Sequence, residues 1–417
     1  MAREATNKIK NTKAWAELSI ETNDASEDST IEEAVTKKGT YIISVLEYGI
    51  INAFFHDTYL SNKKVKGINV EKYGQINKGV YTYNNAFNVQ QDHVYLTFVD
   101  TYEGEMMVHL TSYEDEYGRM CYRLIFSYEK GITFLKSDEL FKDIKKIAFN
   151  LSRYKGKCLK VSIIEGVFQG IEIIDTKDFS ANLILNDTQK RHLTHFVNRL
   201  KNKKTARYMF NGPPGCGKTH SIRNLIYDLT PQVTFIMPDF KYIDDLNIIL
   251  EGCEIFDENV IVMDDIDLFL GSRDNRTQTN VLGQFLAFFD GVKKRKVSIL
   301  ASTNDKTLVD KAAERPGRFN MILDYGYLDK QQIIDVCKVH LPKSFHSEEI
   351  FNIMTQNVGG KKTKLTGAFI ANFAENLIDM SEGNTKWTIK DTKVLFEESY
   401  KGFYSSQTEN NEKMGFN

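Results

Sequence analysis

Proline is scarce and lopsided: there are six in 417 residues, at 213, 214, 231, 238, 316 and 342, and none in the first 200. That shift in usage agrees with a domain boundary near residue 180. Cysteine is also sparse. Cys121, Cys158, Cys216, Cys253 and Cys337 are odd in number and widely scattered. They fit neither a disulfide framework nor zinc-ligand spacing, which favours a reducing compartment and a cytoplasmic protein, bacterial or phage-borne from its Lys-, Asn- and Ile-rich style. Net charge is only −2, so no global field advertises a polyanionic partner, although a local basic channel stays open. Long apolar runs are missing. The start, MAREATNKIKNTKAWAELS, lacks the apolar core of a signal peptide. The most apolar early run, TYIISVLEYGIINAFF at 40–55, is too short to cross a bilayer and carries Glu47, so it reads as a buried amphipathic helix. The expectation is a soluble chain with no membrane partner.

What is present suffices for sizeable cores: 41% of residues are hydrophobic and 26% charged, as in ordinary globular proteins. The length fits two or three domains at about 150 residues each. Residues 1–30 are polar and expected to fray. Residues 31–55 read as a helix opened by DSTIEEA. From about 80 to 130 the apolar period becomes two, in HVYLTFVD, MMVHLTSY and CYRLIFSY, which predicts an antiparallel meander. Its aromatics (Tyr95, Phe98, Tyr113, Tyr122, Phe126, Tyr128) alternate as strand core does. CLKVSIIEGVFQGIEIID, 158–175, adds a strand pair. Next, NDTQKRHLTHFVNRL sets Leu193, Phe196, Val197 and Leu200 at helical spacing, with a capping box from Asn186 and Gln189. Short apolar strands then alternate with helices up to VSILASTN, which predicts a parallel sheet covered on both faces. From about 328 the pattern is helical. The chain thus divides into a flexible start (1–30), an α+β domain (31–180), an α/β domain (181–327), a helical subdomain (328–405) and a flexible tail (406–417).

The chemistry lies in the α/β part. GPPGCGKT, 212–219, fits G-x-x-x-x-G-K-[ST] between a predicted strand and a predicted helix. Gly212, Gly215 and Gly217 let the backbone wrap so that successive N–H groups point at a polyphosphate. Pro213, Pro214, Cys216 and His220 complete the binding loop. Lys218 reaches the β and γ phosphates, Thr219 offers its hydroxyl to Mg²⁺, and the helix beginning there adds its positive end. NVIVMDDID, 259–267, is an apolar strand ending in acids. Asp264 is placed to hold Mg²⁺, which wants oxygen ligands. Asp265 is placed to polarise an attacking water. Asp267 reads as a structural acid beside them. Asn304, at the end of VSILASTN, is placed to sense that water or the γ phosphate. Eleven residues on, RPGRFN carries Arg315 and Arg318, whose charge suits a phosphoryl group in transit on a neighbouring subunit.

These four elements in order resemble the AAA family of ATPases over roughly residues 183–400. LILNDTQKRHLTHFVNRL, FLAFFDGV and FNMILDYGYLDKQQI are similar to the subgroup of the mitochondrial translocase of the Rieske iron–sulfur protein, without its N-terminal transmembrane helix. The resemblance implies a P-loop AAA+ core with a C-terminal helical lid, ATP and Mg²⁺ as ligands, and a hexameric ring. It also implies lid residues near the nucleotide at Gly367 and Ala368, and a substrate-gripping aromatic at Phe240 or Tyr242. The second position of the acidic pair is more often Glu; Asp265 is one methylene shorter. The function expected is an ATP-driven machine that remodels or translocates protein, with substrate or adaptor bound by the N-terminal domain. A DNA replication or repair motor and an ATP-gated scaffold with slow turnover are the alternatives. The one dense basic run, KKRK at 293–296, reads as a solvated loop rather than a nucleic-acid contact. Lys218→Ala is expected to abolish nucleotide binding, measured by equilibrium titration with a fluorescent ATP analogue; retained tight affinity would contradict the loop assignment.

Overall fold

The computed structural model describes residues 37–62, 68–76, 80–83, 87–90, 94–101, 104–114, 120–128, 134–164, 167–180, 182–240, 246, 249, 258–270, 297–304, 318–358, 361–362, 364–382 and 387–413. These fall into two compact units. One draws its described residues from Met1–Asp175, Thr230–Ile261 and Lys293–Val297, the other from Thr176–Leu229, Val262–Val292 and Ser298–Asn417. Among the described residues no helix is long and apolar enough to cross a membrane.

The first unit opens with β1 (Lys37–Ile43), α1 (Val45–Ser61), β2 (Asn69–Ile76), β3 (Val80–Tyr83) and β4 (Phe87–Gln90). β5 (Val94–Thr101), β6 (Gly104–Glu114), β7 (Met120–Tyr128), α2 (Phe134–Leu151), β8 (Cys158–Ile164) and β9 (Val167–Ile174) follow. Five strands form an antiparallel sheet in the order β1-β7-β6-β5-β2, with the expected meander at its centre. The period of two survives into the packing: Val108 and Leu110 on β6 and Tyr122 and Leu124 on β7 are buried, as alternate residues of a one-sided sheet must be.

The helix expected over 31–55 is corrected. Residues 37–43 are strand β1, and the helix begins at Val45. The cause is a capping box one turn inside the apolar run. The Glu47 N–H donates to Ser44 Oγ (3.3 Å) and the Ser44 N–H donates to Glu47 Oε2 (2.7 Å), so the first helical turn is closed there. Glu47, the acid that interrupts the apolar run, is buried in that cap and paired with Lys145 on α2.

The strand pair of 158–174 hydrogen-bonds into a second sheet. β8 runs parallel to β11 (Thr234–Phe240), and β11 runs parallel to β12 (Asn259–Met263). Where the chain enters β8, Gly156 has φ 67°, and its N–H donates to Thr234 Oγ1 (2.9 Å).

The second unit holds α3 (Asp187–Lys201), β10 (Arg207–Asn211), α4 (Lys218–Leu229), α5 (Ile266–Leu270), β13 (Ser298–Thr303) and β14 (Met321–Asp324). After these come α6 (Lys330–His340), α7 (Glu348–Thr355), the short pair β15 (Asn357–Val358) and β16 (Lys361–Lys362), α8 (Gly367–Ser381) and α9 (Ile389–Lys413). The α3 capping box is present: the Gln189 N–H donates to Asn186 Oδ1 (2.8 Å) and the Asn186 N–H to Gln189 Oε1 (3.0 Å). β10 is flanked in parallel by β13 and β14. The seven strands run β14-β10-β13-β12-β11-β8-β9, mostly parallel, with β12 and β13 buried along their whole lengths. That is the architecture expected of a P-loop core. The C-terminal helices pack their own core around Cys337, Met354, Phe369, Phe373 and Phe396; the hairpin β15–β16 within them is not legible in the helical periodicity.

A Cβ at Gly156 would lie 2.0 Å from the carbonyl oxygen of Pro231. Gly156→Ala is therefore expected to cost about 3 kcal/mol or more, from positive φ and overpacking together. A guanidinium unfolding curve indistinguishable from wild type would contradict this.

Candidate active site at the strand ends

β10 delivers the phosphate loop between its two parallel neighbours, and each end of the loop is fixed by a backbone bond. The Tyr325 N–H donates to the Asn211 carbonyl (2.6 Å), and the Gly212 N–H donates to the Thr303 carbonyl (3.3 Å). Asn211 Nδ2 adds a bond to Asp324 Oδ1 (2.8 Å). Gly212 (φ 153°) passes so close to β14 that a Cβ there would sit 1.9 Å from the Tyr325 oxygen. Gly215 (φ 77°) passes the helical subdomain, where a Cβ would fall 2.7 Å from Ala368 Cβ. Space for a side chain has been traded for close backbone approach at both points. At Gly217 (φ 93°) a Cβ would meet nothing within 4 Å, so this part of the loop faces open space, as a cradle for a ligand must.

Lys218 begins α4 and is buried. Its ammonium group has three donors, and all three are used: Gly212 O (2.7 Å), Pro213 O (3.0 Å) and Asn304 Oδ1 (2.7 Å). Burial pulls its pKa below the usual lysine value, while Asp265, Cys216, Asp267 and Asp264 push back in favour of the charge. Cys216 is buried in the loop, and burial lifts its thiol pKa.

β12 carries the acids to the same place. The Ser302 hydroxyl on β13 donates to Asp264 Oδ1 and accepts from the Asp265 N–H (2.8 Å). Asp265 takes the left-handed conformation, φ 49°, which aspartate tolerates better than most residues. The turn brings its carboxylate to Asn304, whose Nδ2 donates to Asp265 Oδ1 (3.2 Å). Burial raises the Asp265 pKa, with the Asp264 and Asp267 charges adding to it; Lys218 and the Asn304 bond act in the opposite sense. Asp267, in the first turn of α5, accepts from Thr303 Oγ1 (2.9 Å) and from the Asn304 N–H (3.0 Å).

A cavity of about 460 Å³ opens on this cluster. Pro214 through Ser221, Asp265 and Asn304 line it; Thr219 and His220 are among them. The Gly367 and Ala368 pair lines it too, at the start of α8, where the Ala368 N–H donates to the Gly215 carbonyl (3.1 Å). Leu183, Ile184, Leu185, Leu328, Val336 and Val339 add apolar lining, together with His340. No role was legible for these residues in the motifs. The signals were there, however: an apolar triplet just before a capping box, and Val336, Val339 and His340 at i, i+3, i+4 on one face of α6. Burial, then the neighbouring His220, lowers the His340 pKa.

Arg318 lies three residues before β14, at the end of the sheet away from the phosphate loop, and is only 7% exposed. Arg315, Lys241, Tyr242 and the basic run 293–296 lie outside the described residues. Phe240 ends β11.

The donor set suits a nucleotide with Mg²⁺. Thr219, on the first turn of α4, and Asp264 offer a hydroxyl and a carboxylate, the hard oxygen ligands that Mg²⁺ takes alongside phosphates. Among the described residues no group of three or more His, Cys, Asp or Glu side chains forms a metal cage.

The sequence model described as "ATPase family associated with various cellular activities (AAA)" matches residues 208–327. The chain is 30% identical over 152 residues to the Cell division cycle protein 48 homolog of Archaeoglobus fulgidus, covering 33% of this chain and 20% of that protein. It is 30% identical over 143 residues to the Proteasome-activating nucleotidase of Pyrococcus abyssi, covering 31% and 36%. To Protein Ycf2 of Mesostigma viride it is 26% identical over 227 residues, covering 46% and 25%. The matched stretch thus spans between a fifth and about a third of these relatives' lengths.

Ser302 is fully buried and pins both acids. Ser302→Ala leaves the Asp265 N–H without its partner, at an expected cost of about 1–3 kcal/mol, and slows any reaction that needs Asp264 and Asp265 in place. Unchanged melting together with unchanged turnover would contradict that role.

Proposed function

We propose, from the AAA ATPase domain at residues 208–327, that this protein hydrolyses ATP and uses the cycle to remodel or translocate protein. The observation that carries the reading is the meeting of three strand ends at one buried ammonium. Lys218 touches its own loop and Asn304 at once, and Asn304 in turn touches Asp265.

The apolar lining of the cavity suits the base and sugar of ATP and the loop suits its phosphates, where α4 presents its N-terminal N–H groups. Lys218 exchanges contacts with the Gly212 and Pro213 carbonyls for contacts with the β and γ phosphates. Asp265 orients the attacking water and accepts its proton, and Asn304 holds the far side of that water. Mg²⁺, held by Thr219 and Asp264, supplies neutralising charge on the phosphates when bound.

Arg315 and Arg318 act on a neighbouring copy's γ phosphate in a ring, most simply a hexamer. Because Arg318 is buried in the single chain, this role includes an outward turn of its side chain. The α+β domain at 31–180 binds protein substrate or an adaptor, the subdomain from 328 serves as the lid, and Phe240 or Tyr242 grips substrate. The sequence of α3 and of the segment around β14 supports the Rieske-translocase subgroup. The scattered cysteines support work in a reducing cytoplasm.

The test is steady-state phosphate release. Wild type is expected to turn over ATP, and Asp265→Asn to bind ATP but lose about 10²-fold or more of the rate. Mixing Asp265→Asn with Arg318→Ala subunits is expected to restore some activity at hybrid interfaces. Equal, negligible turnover by wild type and Asp265→Asn, with both assembling on ATP, would favour the scaffold instead. Absence of rescue in mixtures would sink the role in trans.

A further inference from the structure

Asp267 has no part in the reaction as set out above, although its carboxylate is among the most fully engaged groups in the site. We infer that Asp267 is a positioning residue for hydrolysis: it clamps Asn304 so that the amide oxygen faces Lys218 and the amide nitrogen faces Asp265. This rests on the ATPase reading.

The clamp has three contacts. Asp267 Oδ1 accepts from the Thr303 hydroxyl (2.9 Å) and the Asn304 N–H (3.0 Å), and Oδ2 accepts from Asn304 Nδ2 (3.3 Å). One carboxylate therefore holds the end of β13 by both its backbone and its side chain. The sharp turn at Asp265, pinned by Ser302, delivers α5 to the position where this is possible.

The chemistry of the partners allows one orientation of the Asn304 amide. An ammonium group has only donors, so Lys218 must meet Oδ1; carboxylates are acceptors, so Asp265 and Asp267 must meet Nδ2. Nδ2 has two hydrogens, one for each acid. Lys218 and Asp265 already demand this orientation; Asp267 adds the hold on the Asn304 backbone and amide nitrogen that keeps the side chain in place between them. The spacing D-x-D shows why the acid two places on is needed: Asp264 is occupied by Ser302, and Asp265 faces the cavity. The third acid, carried on the first turn of α5, faces the strand end rather than the ligand.

A double-mutant cycle on the full-length chain tests this, with kcat and ATP affinity measured separately. Asp267→Asn places a second amide against Asn304, so one donor must face another. It is expected to lower kcat by about 10²-fold, the scale of a small misplacement at a reacting centre, with ATP affinity unchanged. Asn304→Ala is expected to lower kcat similarly, and the double variant to be no slower than Asn304→Ala alone. Losses that multiply, or a fall in ATP affinity that accounts for the loss, overturn the inference while leaving the ATPase reading intact. If Asp267→Asn does not fold, Asp267→Glu takes its place. Its longer side chain is expected to displace Asn304, slowing wild type but changing nothing in the Asn304→Ala background; full wild-type turnover by Asp267→Glu overturns the inference. A wild-type chain that binds ATP without hydrolysing it overturns both readings together.

Discussion

A single buried ammonium group organises the cluster of polar side chains at the strand ends. Burial disfavours the charge on Lys218 and nearby acids favour it, while carbonyls of the loop and the Asn304 amide take its three hydrogen bonds. Removing any of these partners makes a buried charge costlier. The same hydrogen bonds tie the loop to the end of β13. The loop, the acids after β12 and Asn304 are therefore one electrostatic unit. Its parts come from stretches of sequence far apart, assembled by the order in which parallel strands lie side by side, at the carboxyl ends where open α/β sheets place ligands.

The helical subdomain is coupled to that unit through backbone. The Ala368 N–H donates to the Gly215 carbonyl (3.1 Å). Gly215 permits this contact because it has no side chain to hold Ala368 away. The loop and the first turn of α8 are therefore in direct backbone contact, without an intervening chain of side chains.

Much of this was legible in the sequence, for physical reasons. GPPGCGKT has a backbone requirement that few residue types satisfy, and an apolar strand ending in acids has few other uses. The α3 capping box and the alternation in β6 and β7 are local, and local signals survive into the fold. What was illegible depended on contacts made at a distance. The helix start at Val45 was hidden because Ser44 and Glu47 lie inside an apolar run that reads as continuous. Ser302 looked like one more strand residue until β12 lay beside it. The contacts of Asp267 were illegible because its three donors, on Thr303 and Asn304, lie 36 and 37 residues away. The burial of Arg318 could not be read from RPGRF, since nothing in that spacing says what covers the side chain.

Hydrogen exchange of the backbone amides, followed by mass spectrometry with and without ATP and Mg²⁺, tests the central claim most directly, because it locates the ligand without presuming turnover. The account predicts that ATP slows exchange in 212–221 and at the end of β13, with smaller protection at the start of α8. Protection elsewhere in the chain, with those three stretches unchanged at saturating ATP, would contradict it.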